Sequence, residues 1–302
     1  MGKVALVFAG QGAQSVGICK DLYASFDAVK VLFDMSEATR DLCFDGPKEQ
    51  LDITINTQPA VFLADLACAI ALSEKGITAD GAAGFSLGEI AAACYAGLMS
   101  RAQAFDFVSH RAKAMQDCAE KHKGSMFAVL RLSSGQVEDI CSLIPGTYPV
   151  NYNAPGQTVV ACADSSAEQL RQTVSKQRGK AVKLAVSGAF HSVFMDKAAA
   201  SAAAYLKKES MGAMQIPLYS NVTARVYDDP KELLAKQINH PVLWQKTIEN
   251  MVGDGFDTFI EAGPGKTLSG LIKKIAPDVR VFNVSDIPSL DNTVKEVHKR
   301  AP

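Results

Sequence analysis

Apolar and polar positions along the chain fall into short blocks of two periods. Val4 to Phe8 is a brief apolar run bounded by Gly10, as a buried strand would be. Asp21 to Leu42 repeats with a helical period and carries its charges on one face. Pro59 to Glu74 is apolar almost throughout and predicts a helix laid on a sheet. Ala79 to Ala83 is small and mostly apolar, which predicts a second buried strand. Leu87 to Leu98, Ala-rich with Glu89 in its first turn, predicts the helix after it. Arg101 to Ala119 predicts another helix, with Ser100 as its N-cap.

The middle of the chain has a different rhythm. Met126 to Leu132 reads as a strand, Ser134 to Leu143 as a helix, and Tyr148 to Asn153 and Thr158 to Ala163 as strands. Ser165 to Gln177 then reads as a helix and Ala181 to Leu184 as a strand. This strand-helix-strand-strand-helix-strand order predicts a ferredoxin-like unit. The expected organisation is a small domain, residues 125–188, inserted in a large one made of residues 1–124 and 189–302. Beyond the insert, His191 is expected to open a helix reaching Lys208. Leu218 to Val222 predicts a strand. Pro230 to Asn239 and Leu243 to Val252 predict helices split by His240-Pro241. Thr258 to Glu261 predicts a strand ending at Gly263-Pro264-Gly265, and Thr267 to Ile275 a helix. From Ser289 the chain is polar and is expected to fray.

Composition narrows the class. The 302 residues are 48% hydrophobic with a net charge of -1, enough for a large α/β domain with an insert and without a broad basic face for nucleic acid. The seven cysteines are scattered and lack any C-x-x-C, as in a reduced, cytoplasmic protein. No signal peptide or membrane span is expected, and histidines and cysteines lack metal-ligand spacing. Gly10-Gln11-Gly12-Ala13-Gln14 follows the first strand but lacks the third glycine of a dinucleotide fingerprint.

The chemistry starts at Gly84-Phe85-Ser86-Leu87-Gly88-Glu89. It fits G-x-S-x-G between a predicted strand and a predicted helix, the setting of a nucleophile elbow. Glycines on both sides let the chain turn sharply and leave Ser86 exposed beside the helix N-terminal amides. A serine nucleophile needs a base. His122 and His298 lie in charged or polar stretches and His240 precedes proline. His110 adjoins Arg111 on one helix, so at most one of the two faces a given site. His191 follows Ser187-Gly188-Ala189-Phe190 where the chain re-enters the large domain, and is the best-placed base.

Taken together, GQGAQ at 10–14, GFSLGE at 84–89, Arg111, NAPGQ at 153–157, GAFHS at 188–192, QINHPVLW at 237–244 and EAGPGKTLSG at 261–270 resemble the malonyl-CoA:acyl carrier protein transacylase family. The motifs keep that family's order over nearly the whole chain. The resemblance implies Ser86 as nucleophile, His191 as base, and the Gln237 main-chain carbonyl as its orienter. It implies backbone amides of Gln11 and Leu87 as the oxyanion hole, and Arg111 as partner of the malonyl carboxylate. Phe190 resembles the aromatic residue of malonyl-selective members. Phe85 is a departure, because many members carry histidine there, and phenylalanine offers the acyl group no hydrogen bond.

The resulting expectation is an α/β fold, with an α/β-hydrolase-like large domain and an inserted ferredoxin-like small one. The expected activity is malonyl transfer from malonyl-CoA to acyl carrier protein, with no bound cofactor, by a monomer that takes neither nucleic acid nor membrane. Lys180, Lys183, Lys266, Lys273 and Lys274 are candidates for docking an acidic carrier protein. Two rivals remain at this point. One is a serine hydrolase with Asp164 or Glu168 as triad acid. The other is a non-catalytic carrier-docking module.

Overall fold

The structure, a computed structural model, describes residues 2–299; the outermost expected bounds, 1 and 302, lie outside the described residues. Strand β1 (Lys3–Phe8) leads into short helices α1 (Lys20–Ser25), α2 (Asp27–Phe33), α3 (Glu37–Asp45) and α4 (Lys48–Leu51), then the long α5 (Thr54–Glu74). Next come β2 (Gly81–Gly84), α6 (Gly88–Tyr95) and α7 (Arg101–Lys121). The middle block is β3 (Gly124–Leu130), α8 (Ser134–Leu143), β4 (Thr147–Ala154), β5 (Gln157–Ala163), α9 (Ala167–Lys176) and β6 (Lys180–Lys183). The chain closes with α10 (Asp196–Leu206), β7 (Leu218–Tyr219), α11 (Pro230–Lys236), α12 (Trp244–Gly253), β8 (Phe256–Ala262), α13 (Thr267–Ile275), β9 (Arg280–Val284) and α14 (Ile287–His298).

Two sheets result. One is parallel, in the order β7-β2-β1-β8-β9, and the other is antiparallel, in the order β4-β5-β3-β6. Strand β1 lies at the centre of the parallel sheet and Leu6, Val7 and Phe8 are fully buried, since both faces are covered by helices. The antiparallel sheet has its own core, in which Phe127, Val129 and Val160 pack against Val137 and Ile140 of α8 and Leu170 of α9. The two bodies meet where Val242 exchanges backbone hydrogen bonds with β4, accepting from Tyr152 and donating to Val150.

Several expectations need correction. The helical stretch from Asp21 to Leu42 is three helices, broken at Phe26, whose backbone is extended, and again at Ser36, which caps α3. Helix α5 starts five residues ahead of Pro59. Proline at the sixth helical position removes only the bond to Ile55, near the exposed end. At 21 residues α5 is long and apolar enough to cross a membrane, contrary to the expectation that no stretch is. Its most apolar window is 89% buried inside the protein, so it is a core helix. The strand expected over Leu218–Val222 stops at Tyr219, because Ser220 to Ala224 turn back on themselves through the Ala224 to Ser220 bond. The frayed tail expected from Ser289 is instead part of α14, whose N-terminus carries a reciprocal cap between Asp286 and Ser289. Strand β9, not expected at all, pairs parallel to β8.

Candidate active site

The elbow is built where β2 ends and α6 begins. A side chain on Gly84 would run into the backbone of Gly88, and one on Gly88 into the carbonyl of Phe8, so neither position admits alanine. The turn forces Ser86 into the left-handed region at φ 54°. A non-glycine residue held there costs about 1–3 kcal/mol, which the surroundings must offset. Asn221 supplies part of that restraint. Its Oδ1 accepts from the Ser86 amide at 2.7 Å and its Nδ2 donates to the Gly84 carbonyl at 2.6 Å, bridging the turn. Asn221 is held in turn by buried Glu89, whose Oε1 accepts from the Asn221 amide at 2.8 Å and from the Tyr227 hydroxyl at 2.6 Å.

His191 reaches the serine from the other side. It does not open a helix as expected. It sits at φ 59°, ahead of a single turn over Val193–Met195, and α10 starts only at Asp196. This conformation aims the imidazole back toward the elbow, with Nε2 2.7 Å from Ser86 Oγ. Nδ1 lies 2.7 Å from the Gln237 carbonyl. A carbonyl only accepts, so Nδ1 carries the hydrogen and Nε2 is left free to take the serine proton. Burial, helped by the charge of Arg111, pushes the His191 pKa down to about 4, and the Gln237 carbonyl opposes that shift. The imidazole is therefore neutral, and able to act as a base, at ordinary pH.

Arg111, 1% exposed, faces the same point. Its Nη2 donates to Ser86 Oγ at 3.3 Å and to Gln237 Oε1 at 2.8 Å, and its Nη1 donates to Gln58 Oε1 at 2.6 Å. Its Nε has no partner. Burial pushes this guanidinium down to about 10, and Glu89 pulls it partly back. Gln237 binds three times. Besides its carbonyl on His191 and its Oε1 on Arg111, its Nε2 donates to the Ser86 carbonyl at 2.9 Å.

These groups open into a cavity of about 280 Å³ between the two sheets. Gln11, Phe85, Phe190 and Gln58 line it from the parallel-sheet side, and Met126, Ala128 and Val159 from the antiparallel sheet. Phe85 packs edge-on against Trp244, with ring centroids 5.5 Å apart, so it is a wall fixed by an aromatic neighbour. Phe190 is buried beside the histidine. Leu87 is buried at the N-cap of α6, next to the serine. The Gln11 side chain donates to Thr54 at 3.2 Å.

Other candidates fall away. Asp164 accepts from Ser125, and Glu168 pairs with Arg171 and Gln172, so neither expected triad acid touches His191. His110 bonds Ser201 and lies against Tyr205, leaving Arg111 as the member of the pair that faces the serine. Lys180, Lys183, Lys266, Lys273 and Lys274 are all exposed, and Lys274 donates to Gln157 beside the cavity. No group of three or more histidine, cysteine, aspartate or glutamate side chains suited to a metal ion occurs among the described residues. Sequence reasoning missed Gln58 and Asn221 altogether. The sequence marks Glu89 only as a first-turn acid.

Residues 5–290 match the family model described as an acyl transferase domain. The chain belongs to the acyl transferase family. Among curated members, the malonyl CoA-acyl carrier protein transacylase of Bacillus subtilis is 35% identical over all of both chains. That of Haemophilus influenzae is 34% identical over 98% of this chain and 99% of its own. Among solved acyl transferases, the transacylase of Clostridium perfringens superposes with a TM-score of 0.95 at 36% identity, covering 98% of each chain. A malonyl-transacylase in complex with its type II PKS acyl-carrier protein superposes with a TM-score of 0.93 at 31% identity, covering 97% of this chain and 99% of that one.

Proposed function

We propose that this acyl transferase moves malonyl from malonyl-CoA to the phosphopantetheine thiol of an acyl carrier protein, through an ester on Ser86. The observation that carries the reading is the meeting, at one serine oxygen, of a neutral imidazole and a buried, unneutralised guanidinium. The imidazole makes the nucleophile, and the guanidinium selects an acyl group that carries a carboxylate. The names of the relatives supply the donor and the acceptor.

In the first half-reaction Ser86 Oγ attacks the thioester carbonyl while His191 Nε2 takes its proton. Two amides receive the negative oxygen. The resemblance to the transacylases implies the amides of Leu87, at the N-terminus of α6, and Gln11 as the donors, and the Ser86 amide is already occupied by Asn221. The carbon–sulfur bond then breaks and His191 protonates the departing CoA thiolate. In the second half His191 deprotonates the carrier thiol, which attacks the ester, and Ser86 regains its proton. Arg111 keeps donors for the malonyl carboxylate, Nε among them. An acetyl group would leave that cation uncompensated. Phe190 and Phe85 close the space around the acyl α-carbon.

The strand order β4-β5-β3-β6, with every neighbour antiparallel, supports a ferredoxin-like unit inserted at residues 125–188. The parallel sheet with its elbow after β2 supports an α/β-hydrolase-like body built from residues 1–124 and 189–302. Exposed Lys274, which donates to Gln157 of the cavity wall, is suited to an acidic carrier protein.

The decisive experiment treats the protein with malonyl-CoA, digests it, and follows the Ser86 peptide by mass spectrometry before and after adding holo carrier protein. The expected result is a malonyl adduct on Ser86 that passes to the carrier. Free malonate without malonyl-carrier product would sink the transferase reading.

A further inference from the structure

Arg111 is fully buried, and among the described residues no carboxylate forms an ion pair with it. Its hydrogen-bond acceptors are the side-chain oxygens of Gln58, Gln237 and Ser86, all of them neutral. The acid that acts on it electrostatically, Glu89, gives Oε1 to Tyr227 and Asn221, and burial pushes its carboxyl up to about 8. The site therefore holds one positive charge that the protein itself leaves uncancelled.

Gln58 makes the shortest of those contacts. It is buried on α5, and both ends of its amide are placed. Oε1 accepts from Arg111 at 2.6 Å and Nε2 points to Met115 Sδ at 3.5 Å. The amide end differs from a carboxylate by a single atom, yet the electrostatic consequence is opposite. A carboxylate there would pair with the guanidinium inside the protein, and a substrate carboxylate would then enter a neutral site against a like charge. An uncharged acyl group would meet no unpaired cation.

We propose that Gln58 is a specificity-determining residue: by holding Arg111 through a neutral acceptor it reserves the guanidinium's charge for acyl groups that bring their own carboxylate. This rests on the reading of Arg111 as the partner of the malonyl carboxylate. It adds that selectivity depends on the charge state of the guanidinium's protein ligand as well as on the guanidinium.

The test compares Ser86 loading from malonyl-CoA and acetyl-CoA in the full-length protein and its variants, with melting temperatures alongside. In Gln58→Glu, malonyl kcat/KM is expected to fall about a hundredfold or more, while acetyl loading changes by less than about tenfold. Its melting temperature is expected to hold or rise, because the new pair compensates a buried lone cation. Gln58→Met, neutral and of similar length, is expected to keep the malonyl preference within about tenfold of the parent. Equal losses for both donors in Gln58→Glu would overturn the proposal. So would a collapse of preference in Gln58→Met, which decides the matter even if the glutamate variant does not fold. Arg111→Ala serves as the control. If it loses malonyl and acetyl loading equally, the reading of Arg111 itself fails. If it is malonyl-selective while Gln58→Glu is not, only the role of Gln58 fails.

Discussion

The two sheets divide the work unequally. Every residue hydrogen-bonded into the Ser86–His191–Arg111 network comes from outside the antiparallel unit: Gln58, Ser86, Arg111, His191, Asn221 and Gln237. From the antiparallel sheet the cavity receives wall, apolar at Met126, Ala128 and Val159 and polar at Asn151, Asn153 and Gln157, with no hydrogen bond into that network. The parallel sheet can host chemistry because its strands end together, so the loops after β1, β2 and β8 converge on one edge. The antiparallel sheet presents a pleated face and no such convergence of ends. The difference teaches that a cleft between two bodies need not draw its reactive groups from both. One body sets the reaction and the other sets the shape of what reacts.

The hardest test of that division is His191→Ala, expected to slow Ser86 acylation by about ten-thousandfold or more, as loss of a catalytic base does elsewhere. Pre-steady-state adduct formation measures it, and a loss under tenfold would break the assignment of chemistry to this edge. A second test uses pH. The folded pKa of His191 lies near 4, below its ordinary 6.5. The unfolded chain thus binds more protons than the native one between those values, and this group's contribution to stability is complete above about 6.5 and lost as pH falls toward 4. That contribution is on the order of 3 kcal/mol. Denaturant titrations should show a slope over this window that His191→Gln lacks. Acylation should hold down to about pH 5, and a decline centred at 6.5 would contradict the buried, neutral imidazole. The smallest effect is expected across the cleft. Val159→Ala should lower malonyl loading by no more than about two-hundredfold, since one trimmed apolar contact alters fit by only about 1–3 kcal/mol. A loss rivalling that of His191→Ala would mean that the antiparallel sheet does more than shape the cavity.

Legibility in the sequence follows the same divide between local and distant causes. The elbow was readable because glycine, serine and glycine keep a fixed spacing between an apolar run and an Ala-rich one. The middle unit was readable because its strands and helices alternate with short connections, and Ser100 and Ser133 cap their helices as local chemistry requires. Gln58 and Asn221 were not readable. A single glutamine in a helix or asparagine after a strand has no periodicity, and their partners lie 53 and 135 residues away. The left-handed backbone at His191 was hidden for another reason, since no glycine marks that position and only tertiary contacts hold it. At the C-terminus the cap of α14 was a local signal. It uses Ser289 where the usual box has glutamate or glutamine, and so departs from the pattern that marks such a cap in sequence.

The position of β1 has a consequence for how the molecule is made. Ala5 pairs with Gly81 on one side and Phe259 on the other, so β1 waits for the much later β8 before its second edge is covered. Such distant closures carry a larger loop-closure entropy and slow assembly, whereas Gly124 to Lys183 contains its whole sheet within 60 residues and can order early. Ser86 and Arg111 leave the ribosome long before Gln237, which fixes the tautomer of His191. A chain interrupted between Ser86 and Gln237 carries the nucleophile without an oriented base. Catalytic competence thus waits on synthesis and folding of the chain through Gln237.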